Sequence, residues 1–347
     1  MRMETIRYRL NRLRGIRAER LRYCVRKCSE RSGRSAVGIF VDMCLSYCLY
    51  GAVYTDYLLF GFDIIPFRQR KDYLTRTRFH KLALWANPPE ASRFVGSKYE
   101  FYKRYQGYMG RRMIRSDAPG RELDGFLTDN PRFFIKPDKG TGSEGVHEVR
   151  REAFATNEEL KSYVRSLTDY VLDTPITQHR LMASFNADSV NTLRVVYLTA
   201  DGKTHFLYCS LRVGRKDSRV DNLCAGGMIC AIDTGHGLVS SDAFDNDGNL
   251  YSTHPDAAGL CFRGMPVPYL PEALTLTRTV AEKLYREVSL GLVGFDVAVT
   301  PDGPLLLEAN AYPTHYGWQR PGFTDKESPT GLWKKIRSIM QQGTPAS

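Results

Sequence analysis

The stretch GFDVAVTPDGPLLLEAN, residues 294–310, constrains the fold most tightly. Two apolar runs flank Pro301-Asp302-Gly303, which has the chemistry of a hairpin turn, so the segment reads as two antiparallel strands. With those three residues as the loop, Thr300 faces Pro304, and counting back in twos sets Asp296 opposite Glu308. Side chains alternate along a strand. Asn310 therefore joins the two acids, while Phe295, Val297, Val299, Leu305 and Leu307 point to the other face. Carboxylates directly opposed repel, by about 3 kcal/mol for charges ~5 Å apart at an effective dielectric near 20. A cation between them resolves the conflict. Asp296, Glu308 and Asn310 are all oxygen donors, a set that suits a hard divalent ion such as Mg2+, whose shell water and phosphate complete. The alternative is a solvated hairpin edge whose acids face water.

A second stretch, FFIKPDKGTGSEGVHEV (133–149), satisfies G-x-G-x-x-G at Gly140, Gly142 and Gly145. That fingerprint marks a dinucleotide site only between a strand and a helix, and VHEV reads as a strand. A glycine-rich loop between two strands is instead a flap whose backbone N–H groups can close over phosphates. Lys136, on the strand before it, would reach the same phosphates as a point charge. The Walker pattern fails, and no H-R-D or D-F-G of a protein kinase follows. A plain hairpin is the competing reading.

In SVNTLRVVYLTADGKTHFLYCSLRVG (189–214), two strands about Asp201-Gly202, Arg194 and Arg212 interrupt apolar runs. A buried guanidinium is costly unless an anion pairs with it, either a ligand's or a structural carboxylate's. Asn222, Gly226 and Gly227 in VDNLCAGGM then offer an amide and permissive backbone.

The whole chain, 347 residues with net charge +11, is long enough for one large or two smaller domains. Its eight Cys come without a signal peptide, so reduced thiols and a cytoplasmic location are expected. Cys24/Cys28 and Cys44/Cys48 share a C-x3-C spacing that puts both sulfurs of a pair on one helix face, read here as packing. Twelve Lys and Arg against three Glu make residues 1–34 a basic arm. Apolar residues at near-helical spacing make it suited to an anionic membrane surface at the inner face, or to docking on the body of the protein. Nucleic acid is disfavoured, since no recognition motif accompanies the charge. Residues 35–62 are apolar but interrupted by Asp42 and Asp56, which argues for buried helices, with a membrane-facing patch on them as a further possibility, and against a spanning one. A helix is predicted over 272–289, leading straight into the opening hairpin.

Taken in order, these segments resemble the ATP-grasp superfamily: Lys98 on an early element, Lys136 before a Gly-rich flap, NTLRVV with Arg194, the DN…GG segment, and Asp296 followed by Glu308-Ala309-Asn310. QHRLMASFNADSVNTLRVVYL (178–198) is similar to the sugar-transfer-associated branch, related to the alpha-L-glutamate ligases. The resemblance implies an α+β fold of two subdomains clasping ATP over 91–340, a mainly helical region over 1–90 and a flexible tail at 341–347. It implies that Lys98 and Lys136 hold the α- and β-phosphates under a flap of Lys139, Gly140, Thr141, Gly142, Ser143 and Gly145, with Asn222 also at the nucleotide and 171–176 as the adenine hinge. Asp296, Glu308 and Asn310 would carry magnesium, and Arg194 and Arg212 would face the γ-phosphate and an acyl phosphate. Relatives follow the metal-binding Asn closely with Pro-Gly. Here the chain runs AYPTHYGWQRPG, so Tyr312, His315 and Trp318 are candidates for substrate choice or for packing.

The implied activity is an ATP-dependent carboxylate–amine ligase, with a sugar acid or amino acid of a cell-surface glycan as substrate class. An ATP-grasp phosphotransferase is the second possibility. A non-catalytic membrane-surface or nucleic-acid-binding protein is the third, supported by the basic arm alone.

Overall fold

The computed structural model describes residues 7–8, 11–12, 14–140, 145–216, 218, 220–316, 319 and 331–344. Its N-terminal part is helical. Helix α1 (Ala18–Ser32) buries Cys24 and Cys28 and ends on Gly33 at φ +70°, a left-handed stop that glycine adopts without strain. Its charges dock on the body of the protein: Arg31 binds Asp63 and Lys27 binds Asn249 at 3.2 Å. Helix α2 (Ala36–Tyr50), capped by Ser35, and the short α3 (Tyr54–Leu59) close a cluster with Tyr57, Phe60, Phe62 and Tyr73. Beneath it Arg70 donates to both oxygens of Asp42, at 2.6 and 3.0 Å. Helices α4 (Arg76–Ala86), α5 (Pro89–Gly96) and α6 (Lys98–Tyr105) lead out of this region.

Two antiparallel sheets follow. The smaller runs β1 (Met113–Arg115), β4 (Tyr170–Asp173), β2 (Arg132–Pro137), β3 (His147–Arg150) in spatial order. Helices α7 (Gly120–Asp129) and α8 (Asn157–Arg165) share its core through Phe126, Leu160 and Val164, against Phe133, Ile135 and Leu172. After the single turn α9 (Arg180–Ala183), the larger sheet forms around β5 (Thr192–Ala200) and β6 (Lys203–Val213). It continues through β7 (Met228–Asp233) to the short β8 (Leu238–Val239), β9 (Ala243–Phe244) and β10 (Leu250–Tyr251). On its other side lie β11 (Leu292–Thr300) and β12 (Gly303–Asn310), fed by the long helix α10 (Leu270–Val288).

Strand alternation divides the larger sheet's residues between two cores. Leu193, Val195, Tyr197, Val293, Phe295 and Val297 pack with α10. Val196, Leu198 and Leu292 pack on the opposite face, with Leu82 and Ala86 of α4 and with Ile336 and Ile339 of the last helix, α11 (Trp333–Gln342). The fold is thus α+β, with two sheet-containing subdomains and a helical N-terminal region. Residues 35–62 form helices that are buried on one side, through Ile39, Met43 and Tyr57. One face of α2 is solvent-exposed, including Cys44 and Cys48. No helix among the described residues is long and apolar enough to cross a membrane.

Candidate active site

The opening hairpin forms, with Asp296 paired to Glu308, though by a different route. The turn is one residue shorter than expected: Thr300 pairs with Gly303, and Val297 with Leu306. A bulge then absorbs Leu307 and restores the Asp296–Glu308 register. In consequence Leu306, not Leu305 or Leu307, enters the core. The φ of +130° at Gly303 allows the tight turn.

Register carries the polar row across the sheet. Asp296 also pairs with Arg194 on β5, and Arg194 with Ser210 on β6. Glu308, Asp296, Arg194 and Ser210 therefore lie side by side over four strands. Even-numbered positions further along β5, Val196 and Leu198, belong to the face covered by α4 and α11, so the polar row continues that face, with Asp296, Arg194 and Ser210 themselves buried.

The cation expected between the carboxylates is supplied on one side by arginine. Arg194 forks onto both oxygens of Asp296, its Nη2 at 3.0 Å, and Arg212 adds Nη1 at 2.8 Å. Burial alone would raise the Asp296 pKa. The two guanidiniums outweigh it and hold the carboxyl below its ordinary range. Arg212 also binds Asp221 at 3.0 Å, and Asp221 receives the Thr192 N–H at 3.1 Å. Among the described residues no arginine pairs with Glu308 in this way. Burial and the facing Asp296 raise its pKa, and it accepts from the Asn310 amide at 3.2 Å. Among the described residues no cluster of three or more His, Cys, Asp or Glu is placed to hold a metal. The donor set here is instead two carboxylates and an amide. Its oxygens fit magnesium, with no ion pair on Glu308 among the described residues and the lone pairs of Asp296 shared with arginine.

The flap is a strand–loop–strand unit, since β2 and β3 pair with Ile135 against His147. Gly140 and Gly145 have φ of +138° and +73°. Thr141, Gly142 and Ser143 lie outside the described residues. Lys139 bridges to Ser97 at the start of α6, and Asp138 ties the two segments by accepting from Ser97 Oγ and Tyr99 N, both at 2.8 Å. Lys98 reaches the carbonyl of Pro137 at 2.9 Å. Burial lowers its pKa, Glu308 raises it and Lys136 lowers it, so Lys98 sits within electrostatic reach of both the hairpin and the flap lysine. Lys136 binds Asp173 at 2.6 Å. Asn222 follows Asp221, the partner of Arg212, and caps the 3-10 turn before Gly226 by accepting from Cys224 N at 3.4 Å.

Sequence reasoning missed the residues that connect these parts. Arg111 donates to Asp173 at 2.8 Å and to the carbonyls of Leu306 and Leu307, at 2.8 and 2.7 Å. Those carbonyls belong to the bulge. Burial opposes ionisation of Asp173, but Arg111 and Lys136 lower its pKa. A single Asp at the end of the apolar run YVLD was a signal of the same kind as Arg194. Arg111 and Asp221 stand in polar segments and gave none. Of the aromatic candidates, Tyr312 is half-exposed beyond Asn310. His315 is buried against Asp56 of α3 at 2.9 Å, and Trp318 lies outside the described residues.

Residues 114–321 match the family described as sugar-transfer associated ATP-grasp. The chain belongs to that family. Among solved structures, this family member is similar to the ATP-grasp ligase PsnB complexed with a minimal precursor, at 13% identity and TM-score 0.44, over 74% of this chain and 64% of that one. It is also similar to the VanG D-Ala:D-Ser ligase from Enterococcus faecalis (13%, TM-score 0.43, 72% and 62%). A third similarity is to the D-alanine–D-alanine ligase from Helicobacter pylori (16%, TM-score 0.40, 76% and 62%). The chain thus spans less than two thirds of the length of each. No curated protein matches the sequence.

Proposed function

We propose that this ATP-grasp protein is an ATP-dependent carboxylate–amine ligase. The observation that supports the reading is a geometric link: Arg111 binds the Leu306 and Leu307 carbonyls beside Glu308 and also Asp173, which holds Lys136, while Lys98 reaches the Pro137 carbonyl next to Lys136, so the two lysines lie near the hairpin carboxylates. Lys98 and Lys136 bind the α- and β-phosphates, and the flap with Lys139, Gly140, Thr141, Gly142, Ser143 and Gly145 covers them. Asn222 contributes from the rim. Asp296, Glu308 and Asn310 would hold magnesium, which would supply neutralisation of phosphate charge. Arg194 and Arg212 face the transferring phosphoryl group.

In the reaction, a substrate carboxylate oxygen attacks the γ-phosphorus, forming an acyl phosphate and releasing ADP. An amine then adds to the acyl carbon and phosphate leaves with the C–O bond electrons, giving an amide. Arg194 and Arg212 stabilise the negative charge that develops in both steps, and Asp296 fixes their orientation. A sugar acid or amino acid of a cell-surface glycan is the proposed acid, the cytoplasm the proposed location, and 91–340 the proposed catalytic unit. The test is a matrix of sugar acids, amino acids and amines incubated with ATP and Mg2+. Equimolar ADP and inorganic phosphate, with a product mass equal to acid plus amine minus water, is the expected result. ADP without inorganic phosphate, with a product gaining a phosphoryl group, would make the protein a phosphotransferase instead.

A further inference from the structure

We propose that α2 is a membrane-surface docking element that lies in the headgroup region of an anionic bilayer. The inference is independent of the ligase reading. A surface helix ordinarily carries charged residues on its outer face. The outer face of α2 carries none. Val37, Phe40, Val41, Leu45 and Leu49 are exposed, Val37 by 74% and Leu49 by 61%, with Cys44 and Cys48 between them. Their spacing of three and four residues makes one continuous stripe along the helix. Ile64 and Phe67 extend it: with Val41 and Leu45 they line one open groove.

Charge decides what covers the stripe. Every residue from 33 to 89 is described, and none of the exposed ones is Asp or Glu, whereas Arg34, Arg68 and Lys71 are exposed. The acids near the groove are turned inward, Asp42 onto Arg70 and Arg34, and Asp63 onto Arg31. An apolar stripe whose exposed charged neighbours between residues 33 and 71 are cations, with Glu30 at the end of α1 the exposed acid before it, fits acyl chains beneath anionic headgroups. Pairing two copies of the chain through this stripe would bring two cationic rims to one interface. At 15 residues α2 is about 22 Å long, short of the ~30 Å hydrocarbon core, so it lies on the membrane and does not cross it.

The test uses the full chain and sedimentation with vesicles of phosphatidylglycerol and phosphatidylcholine, or of phosphatidylcholine alone. The wild type should bind the mixed vesicles at least tenfold better than the neutral ones. A triple variant, Val41→Ser, Leu45→Ser and Leu49→Ser, should lose at least tenfold of that binding while keeping a cooperative melt above the assay temperature, because about half or more of each side chain is exposed. A double variant, Arg68→Glu and Lys71→Glu, should lose the preference for anionic lipid. Three outcomes would overturn the proposal: no sedimentation of the wild type at low salt, undiminished binding of the triple Ser variant, or a wild-type dimer that the triple variant splits while neither binds vesicles.

Discussion

Glu308 faces Asp296 across the hairpin, and only Asp296 has arginine partners of its own. Removing the Glu308 charge relieves a cross-strand repulsion with Asp296, which the two arginines on Asp296 already reduce. Glu308→Gln should therefore melt at or slightly above the wild-type temperature without ligand, yet lose the extra stabilisation that ATP gives in the presence of Mg2+. Wild-type-like stabilisation in a thermal-shift titration would return the hairpin to a structural role. His315 supplies a pH-dependent counterpart. Burial, aided by Arg76, lowers its pKa below the ordinary 6.5, and Asp56 only partly offsets this. Since the unfolded chain binds a proton more readily than the folded one, the stabilising contribution of neutral His315 is complete above pH 6.5. It is lost as the pH falls towards the folded value. Between pH 8 and 5.5 the wild type should lose melting temperature more steeply than His315→Gln, which starts lower but has no such group to titrate.

At the scale of elements, the bulge in β12 and the guanidinium of Arg111 form one device. A bulge takes carbonyls off the ladder, and Arg111 satisfies two of them while reaching across to Asp173 on β4. The larger sheet is thereby linked to the strand pair that carries Lys136. With Arg111 removed, Asp173 keeps Lys136 as an ion-pair partner and the carbonyls of Leu306 and Leu307 lose a donor. Arg111→Met should cost roughly 3–5 kcal/mol in urea denaturation, the range for breaking a buried pair. ATP affinity should fall as well, because Lys136 would be held more tightly by Asp173. A loss below about 1 kcal/mol would mean that water replaces the guanidinium. The hairpin was legible here because strand alternation and Pro-Asp-Gly are local signals. The bulge was not, since a two-residue turn with a bulge and a three-residue turn without one give the same Asp296–Glu308 pairing.

For the whole molecule, the helical region completes the core of the larger sheet. Leu82 and Ala86 share a cluster with Val196, Leu198 and Leu292, and Asn87 donates to the carbonyls of Leu292 and Ala311, both at 2.8 Å. A fragment of residues 91–347 would leave that apolar face open to water. It should bind a hydrophobic dye and lack the near-ultraviolet dichroism of packed aromatics, whereas the chain from residue 16 onward should keep both a closed core and a cooperative melt. The four-strand polar row is a property of this assembled sheet. Asp296 and Glu308 were readable as a facing pair and Lys136 as a strand residue before a flap, because each rests on neighbours within about fifteen positions. Arg194 and Arg212 stood out as charges in apolar runs, but their partner could not be assigned between a phosphate and a carboxylate. Tertiary structure decided that Asp296 takes both, that Arg111 and Asp221 belong to the network, and which face of the uniformly apolar α2 remains in solvent. Local pattern determines which way a side chain alternates. Which distant strand or helix covers it depends on register and packing between segments a hundred residues apart, and no local periodicity encodes those.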